Sequence, residues 1–470
     1  MLKYLFRSIV LFFCITFYIS CSNANKNIIS EIKTGLHNNN QLKIQLDVKT
    51  ISPADVYAEY WTDSAGAAET MLSATSKNAT THALVLCNIF PKTDYSYHII
   101  TSKNGVKEVS ETYKFTSPVL PIYLQDQFKS NSTYPNQLPP EFKNGFMLFS
   151  KRETPGTAYI IDYNGNLRWY HMIDGTGFKV CHFTKDKTII SILGKNDEPT
   201  SYGSEILEIN LSGDTLLHLK KGQGDFTQTI HHEIIKNNKK EILTLFVDEK
   251  IMDLTAIGGD KRDTVKGDGI LIMDKQAKKI WQWSVFDVLN PLDDPHLNKN
   301  KKDWMHANSL NFDKDSNYII SFYNIGQIWK IDAHNGKVLW KLGKGGDMQM
   351  PAGTGFSESH AVHINASGDL MFFDNGVEKR QSEIWALQID EQNKTAKIKI
   401  DYKLPVDIYN ERMGSAYMIN DTSILCCCSK KHITVLTNRN GVLLWTLQTQ
   451  IPPYRVEFLK GEQVTPFLQP

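Results

Sequence analysis

The chain has 470 residues, enough for two or three domains that each bury a core of their own. Apolar residues make up 41% and charged residues 22%, the balance of an ordinary folded protein, which excludes a disordered chain or a bundle of membrane spans. Lysine plus arginine (52) nearly cancels aspartate plus glutamate (51), so the net charge of +1 provides no field to attract nucleic acid, and nucleic acid is excluded as a partner.

Residues 1–21 open the chain with Lys3 and Arg7, then an apolar run from Ile9 to Ile19 that ends at Ser20-Cys21. The run is too short for a comfortable bilayer span, and this order reads as a secretory signal peptide. A small residue before a cysteine, followed by the polar stretch Ser22 to Asn27, resembles a bacterial lipobox. The resemblance implies that Cys21 becomes a lipid-bearing N-terminus. The mature protein is therefore expected in the cell envelope, lipid-anchored to the membrane on the periplasmic side or in the outer membrane.

Residues 27–117 alternate apolar and polar positions in short runs such as "QLKIQLDV", "DVYAEYW" and "THALVLCNIF", the period of half-buried strands. The segment "LCNIFPKTDYSYHII" followed by "YKFTS" resembles the late strands of a fibronectin type III sandwich. A β-sandwich of immunoglobulin-like kind is predicted here. Residues 118–141 carry Pro118, Pro121, Pro135, Pro139 and Pro140 and are expected to be a linker.

From 142 to 470 a unit recurs: a strand, a polar or glycine turn, then a strand closing on tryptophan or an aliphatic. It appears six times, with closing positions at Trp169, Leu217, Trp281, Trp340, Ile398 and Trp445, about 47 to 64 residues apart. A four-stranded unit with loop insertions has that spacing. The fold class is therefore all-β, a six-bladed β-propeller preceded by a sandwich. Outside the signal and Cys21, the cysteines are Cys87, Cys181 and Cys426 to Cys428, an odd number that cannot all pair within the chain. Adjacent strand residues point to opposite faces, so the run of three is expected to be strand packing.

Three pieces of successive units, "HHEIIKNNKKEILTLF", "MHANSLNFDKDSNYIISF" and "SHAVHINASGDLMFFDNG", place His232, His306 and His360 at corresponding positions. A fourth piece, "GSAYMINDTSILCCC", has Ser415 there, and "CHFTKDKTIISIL" offers His182 by a weaker match. Equivalent positions on propeller blades converge at one mouth of the central channel, so these imidazoles are predicted to meet. Neutral imidazole is a nucleophile and base near pH 7, and its protonated form is an acid. Three histidines could also bind zinc, but no HExxH or acidic ligand cluster accompanies them.

The residues "DWMHANSLNFD", with "IWKIDAHNGKVLWKLG", "FSESHAVHINASGDLMFFDNG", "HHEI" and "GSAYMIN" in that family's order, are similar to the bacterial aryl-sulfate sulfotransferases. The resemblance implies a catalytic propeller that moves a sulfuryl group from a phenolic sulfate ester to a phenol through a sulfohistidine. It implies no adenosine-phosphosulfate donor, no cofactor and no metal. It casts His360 as nucleophile, His306 and Asn308 as groups that hold the sulfuryl oxygens or protonate the leaving phenoxide, and His232 as the third histidine. The family carries an arginine in the strand after "DWxHxNS", where this chain reads "YIISFYNIGQIW", with Tyr323 and Asn324. Arg380 and Arg412 are the cations expected to compensate, and Tyr323 and Tyr417 the rings expected to face the substrate. The competing readings are a non-catalytic binding or scaffold propeller, a quinoprotein-like oxidoreductase and a metal-dependent hydrolase; homodimerisation is left open.

Overall fold

The computed structural model describes residues 28–64, 70–294, 296–465 and 467–468. The signal segment and Cys21 lie outside the described residues. Among those residues, no helix is long and apolar enough to cross a membrane.

The N-terminal sheet is organised by one long strand, Asn40–Thr62. Its first half pairs with Ile29–His37 and Ser76–Leu86, and its second half with Met71–Leu72 and Asp94–Lys103. Alternate residues, among them Ile44, Leu46, Val48, Val56, Ala58 and Tyr60, pack into one apolar core with Tyr95, Tyr97 and Ile99. This period-2 burial is what the sequence alternation demands. The sandwich is tied to the propeller by Asn40, whose side-chain amide donates to the Tyr170 carbonyl at 2.8 Å, and by Lys43, whose Nζ donates to the Ser212 carbonyl at 2.9 Å.

Six antiparallel sheets follow around one axis. Their innermost strands are Gly177–Phe183, Ile230–Lys236, Ala307–Phe312, Ser359–Ile364 and Ser415–Asn420 in blades 2 to 6, and Glu457–Leu459 in blade 1. Blade 1 thus takes its inner strand from the C-terminal end of the chain, paired with Phe146–Lys151. The other end closes the ring as well: Phe128–Ser132 pairs with Leu443–Thr449 as a fifth, outer strand of blade 6. The stretch 118–141, expected as a linker, therefore contributes a strand to the propeller, which begins before residue 142. A proline-rich sequence concealed this because the strand is five residues long and adds only to an edge.

The recurring tryptophans have a specific task. Trp169, Trp283 and Trp445 lie on outer strands, and each indole N–H donates to a carbonyl of the next blade: Leu211 at 2.7 Å, Gly336 at 2.9 Å and Tyr163 at 2.8 Å. Blade 3 uses Trp283 for this contact rather than Trp281, the residue marked by the sequence period. Gly336 has φ of 72°, and a Cβ there would stand 2.8 Å from the Trp283 ring, so the "HNG" turn needs its glycine twice over. Cys87, Cys181 and Cys426 to Cys428 are free; the last three are fully buried in the second strand of blade 6.

Candidate active site

The inner strands all begin at one mouth of the channel, and four of them have a register shift near the start: between Phe178 and Val180, between His231 and Ile234, between Ala307 and Ser309, and between His360 and His363. Such bulges re-aim side chains beside functional sites. His232 and His306 adopt left-handed backbone, with φ of 56° and 57°. In blade 5 the left-handed residue is Ala361, at 53°, one position past His360. By backbone conformation His360 therefore matches His231, a one-residue correction to the expected register. Left-handed backbone is unfavourable for residues with a Cβ, and three instances at one mouth are typical of strain held at a functional site.

The side chains nevertheless meet. Ring centroids are 4.8 Å apart for His232 and His306, 5.5 Å for His306 and Tyr323, and 5.3 Å for Tyr323 and His360. His231 joins at the back, its Nδ1 2.9 Å from Nδ1 of His232 and its Nε2 3.4 Å from Asp268.

His360 is 3% exposed, and its protonation can be read from its partner. Its Nδ1 lies 2.6 Å from Oδ1 of Asn375. The Asn375 amide nitrogen donates to the carbonyls of Asn410 at 2.7 Å and Met413 at 2.9 Å, which assigns the atom facing His360 as the acceptor oxygen. The proton of a neutral His360 therefore sits on Nδ1, leaving the lone pair on Nε2. Burial pushes the imidazole down to about 3; the Asn375 bond opposes this, while the charges of Arg455, His306 and Arg152 reinforce it. At neutral pH His360 is uncharged, and Nε2 is the ring nitrogen that carries the lone pair.

His306 is shifted in the opposite direction. Burial disfavours its charge, but the hydrogen bond to Asp303 at 2.8 Å, the charge of that carboxylate and Asp268 behind it raise its pKa above the ordinary imidazole value. His232 is driven well below that value by burial and by the neighbouring His306 and His231. Burial also raises Asp268 to about 7. Imidazoles shifted in opposite directions, His306 up and His232 and His360 down, thus share one mouth.

The other predicted residues are placed as follows. Asn308 is fully buried: its Nδ2 donates to the Ser359 carbonyl of the next blade at 2.8 Å, and its Oδ1 accepts from Ser321 of its own blade at 2.5 Å. It braces the residue before His360, which corrects its expected contact with sulfuryl oxygens. Arg412 is at the rim, exposed, and near Glu411, whose carbonyl accepts from the Tyr323 hydroxyl at 2.9 Å. Arg380 is exposed on a loop and takes no part in the cluster. Tyr417 packs on His363, 4.9 Å between centroids, and lines a cavity of about 400 Å³ toward the opposite end of the channel. His182 faces that end too, with Nε2 2.6 Å from Glu233 and Nδ1 3.3 Å from Glu457. His182 is thus paired with two carboxylates.

Three residues escaped sequence reasoning. Asn375 sits in "DNG", which reads as a turn and carries no other signal. Arg455 lies in the channel, its Nη1 2.5 Å from Glu233 and its Nη2 donating to the Asn308 carbonyl at 2.5 Å. Arg152, at the end of a blade 1 strand, reaches the mouth from a blade with no histidine in the set. Among the described residues, no group of three His, Cys, Asp or Glu side chains is placed to hold a metal ion.

The fold and site together define a six-bladed propeller with a cluster of imidazoles at one mouth. The arylsulfotransferase (ASST) family matches residues 131–443, and the chain belongs to that family. Its general activity is accordingly of the arylsulfotransferase type, with aryl sulfates and phenols as the implied substrates. No curated protein matches the chain. Among solved structures, a protein of unknown function from Bacteroides caccae aligns with TM-score 0.43 at 12% identity, over 67% of this chain and 99% of its own. Virginiamycin B lyase from Staphylococcus aureus, as an inactive variant with quinupristin, aligns with TM-score 0.35 at 9% identity over 67% of this chain and 87% of its own. Apo AztD from Citrobacter koseri does so with TM-score 0.29 at 8% identity, over 87% and 98%.

Proposed function

We propose that the protein transfers a sulfuryl group from a phenolic sulfate ester to a phenol through a sulfohistidine at His360. The observation that carries this reading is the fixed tautomer of His360, uncharged and with Nε2 free, set across Tyr323 from a histidine that favours its charged form. In the first half-reaction Nε2 forms a bond to sulfur as the sulfur–aryloxide bond breaks, and His306 gives its proton to the leaving oxygen. In the second, an acceptor phenol returns that proton to His306 and attacks sulfur, and the sulfur–nitrogen bond breaks. By analogy with phosphoryl transfer, positioning and charge account for most of the catalysis. Two steps at one site let donor and acceptor bind in turn. The test is release of a chromogenic phenol from its sulfate ester, expected to depend on added acceptor phenol, together with an intact-mass adduct of one SO₃ when the acceptor is left out.

The acid role of His306 has a pH signature. The donor half-reaction needs the imidazolium, so kcat/KM for the donor is expected to fall as pH rises through the pKa of His306, above its ordinary 6.5. His360 stays neutral down to about 3 and adds no acidic limb in the working range. Because Asp303 raises His306, Asp303→Asn is expected to move the falling limb to lower pH. An unmoved limb in that variant would remove His306 as the acid.

The envelope location belongs to the same proposal and is supported by the basic, apolar, Ser20-Cys21 order alone. Fatty-acid labelling of the expressed protein, expected to vanish in Cys21→Ala, tests the anchor.

A further inference from the structure

The strand Tyr318–Phe322 and the turn after it, with Tyr323 and Asn324, carry no arginine, so a sulfuryl group at His360 needs its negative charge met from elsewhere. Three guanidiniums are near the mouth or the channel below it. Arg455 spends both Nη groups on Glu233 and the Asn308 carbonyl. Arg412 is exposed at the rim, with Nε 3.8 Å from Glu411.

Arg152 differs from both. It is 8% exposed, yet among the described residues no carboxylate forms an ion pair with it. Its Nη1 has only the Ser201 hydroxyl, at 3.3 Å, and its Nη2 only the Met413 sulfur, at 3.1 Å, while its plane lies 5.2 Å from the centre of the Tyr454 ring. A desolvated guanidinium with five N–H groups and such weak acceptors is unfavourable until an anion completes it. The buried Arg168 and Arg455, by contrast, each pair with a carboxylate, Asp162 at 3.3 Å and Glu233 at 2.5 Å.

The neighbours of Arg152 are the neighbours of the histidines. The Ser201 carbonyl accepts from the His232 backbone N–H at 3.3 Å, and the Tyr454 ring is 6.1 Å from that of His232. The Met413 carbonyl accepts from the Asn375 amide that orients His360. Arg152 is thus linked to His232 through one residue, Ser201, and to His360 through two, Met413 and Asn375.

We propose that Arg152 binds the sulfuryl oxygens of the donor ester, supplying from blade 1 the cation that the Tyr323 strand of blade 4 lacks. The identity of the anion rests on the sulfuryl-transfer reading. A planar fork suits two oxygens of one sulfonate, and a lysine at this position provides a single point of charge instead.

The test separates binding from transfer by using 4-methylbenzenesulfonate, whose carbon–sulfur bond has no sulfuryl group to give. Calorimetric titration of the wild-type protein is expected to show binding, weakened about 10- to 100-fold in Arg152→Gln, with the affinity for uncharged 4-methylphenol unchanged. Arg412→Gln is expected to change sulfonate affinity by no more than a few fold. If near-UV circular dichroism shows that the Gln variant has lost its fold, Arg152→Lys carries the test, with an expected weakening of about 10-fold. Sulfonate affinity equal to wild type in a folded variant, or no sulfonate binding by wild type, overturns the proposal. Sulfonate binding that depends on Arg152 in a protein without sulfuryl transfer would support the anion site and overturn the transferase reading alone.

Discussion

Replacing His360 with Ala is expected to lower sulfuryl transfer between phenols by at least about 10³-fold and to abolish the SO₃ adduct, while leaving the propeller folded. Loss of a covalent nucleophile leaves only the rate supplied by binding and electrostatics, which is why the effect is large. The fold is expected to survive because His360 stands at the start of its strand, and its one polar side-chain contact is with Asn375. Asn375→Leu is the companion variant. It keeps the nucleophile but removes the acceptor that places the proton on Nδ1, and a loss of about 10- to 100-fold is expected. Transfer and adduct formation equal to wild type in His360→Ala would end the sulfohistidine reading. The same variant also separates the competing scaffold reading, since a binding propeller would show no phenol-dependent release in either protein.

The second large effect concerns stability. Glu233, Arg455, His182 and Glu457 form a buried chain of charges in the channel, with contacts of 2.5 Å between Glu233 and Arg455, 2.6 Å between Glu233 and His182 and 3.3 Å between His182 and Glu457. Burial raises the Glu233 carboxyl, but Arg455 and His182 outweigh it and hold it down to about 2. Removing one partner leaves a desolvated charge without compensation. Arg455→Met or Glu233→Gln is therefore expected to cost about 3–5 kcal/mol in urea denaturation. The double variant is expected to recover part of that loss, because the pair is weighed against its own desolvation. A single variant within about 1 kcal/mol of wild type would contradict this account.

The same chain has a pH signature. Burial lowers His182, but Glu233 and Glu457 prevail and raise it to about 9 from an ordinary 6.5. A raised pKa in the folded state means that its contribution is complete below pH 6.5 and is lost as pH rises through about 9. Glu233 runs the other way: its contribution is present above 4.5 and is lost as pH falls through about 2. Urea midpoints of wild type are expected to fall between pH 7 and 10, and His182→Gln is expected to flatten that fall.

Much of the architecture was legible because its physics is local. Period-2 alternation marked the sandwich strands, and the repeating strand–turn–strand unit counted six blades, one closing residue in each outer strand. His232, His306 and His360 were marked by the same repetition. The contributions that sequence could not show come from chain segments that repeat nothing. Glu457–Leu459 and Phe128–Ser132 complete blades 1 and 6 through pairings between the two ends of the propeller, which no local period records. The register slip of one residue at His360 arises because bulges insert residues unevenly, and only backbone conformation reveals where.

The sequence by itself determined that this is a six-bladed all-β chain with imidazoles from three blades at one mouth, because strand period and repeat length depend on neighbours along the chain. Only the tertiary structure decided which way each imidazole is shifted, since those shifts are set by Asn375, Asp303 and burial across blades. It also decided that Asn308 is a brace and Tyr417 a wall at the other end. Among the described residues, the buried guanidinium left without a carboxylate at the mouth is Arg152, which ring closure sets beside Met413 at the start of blade 6.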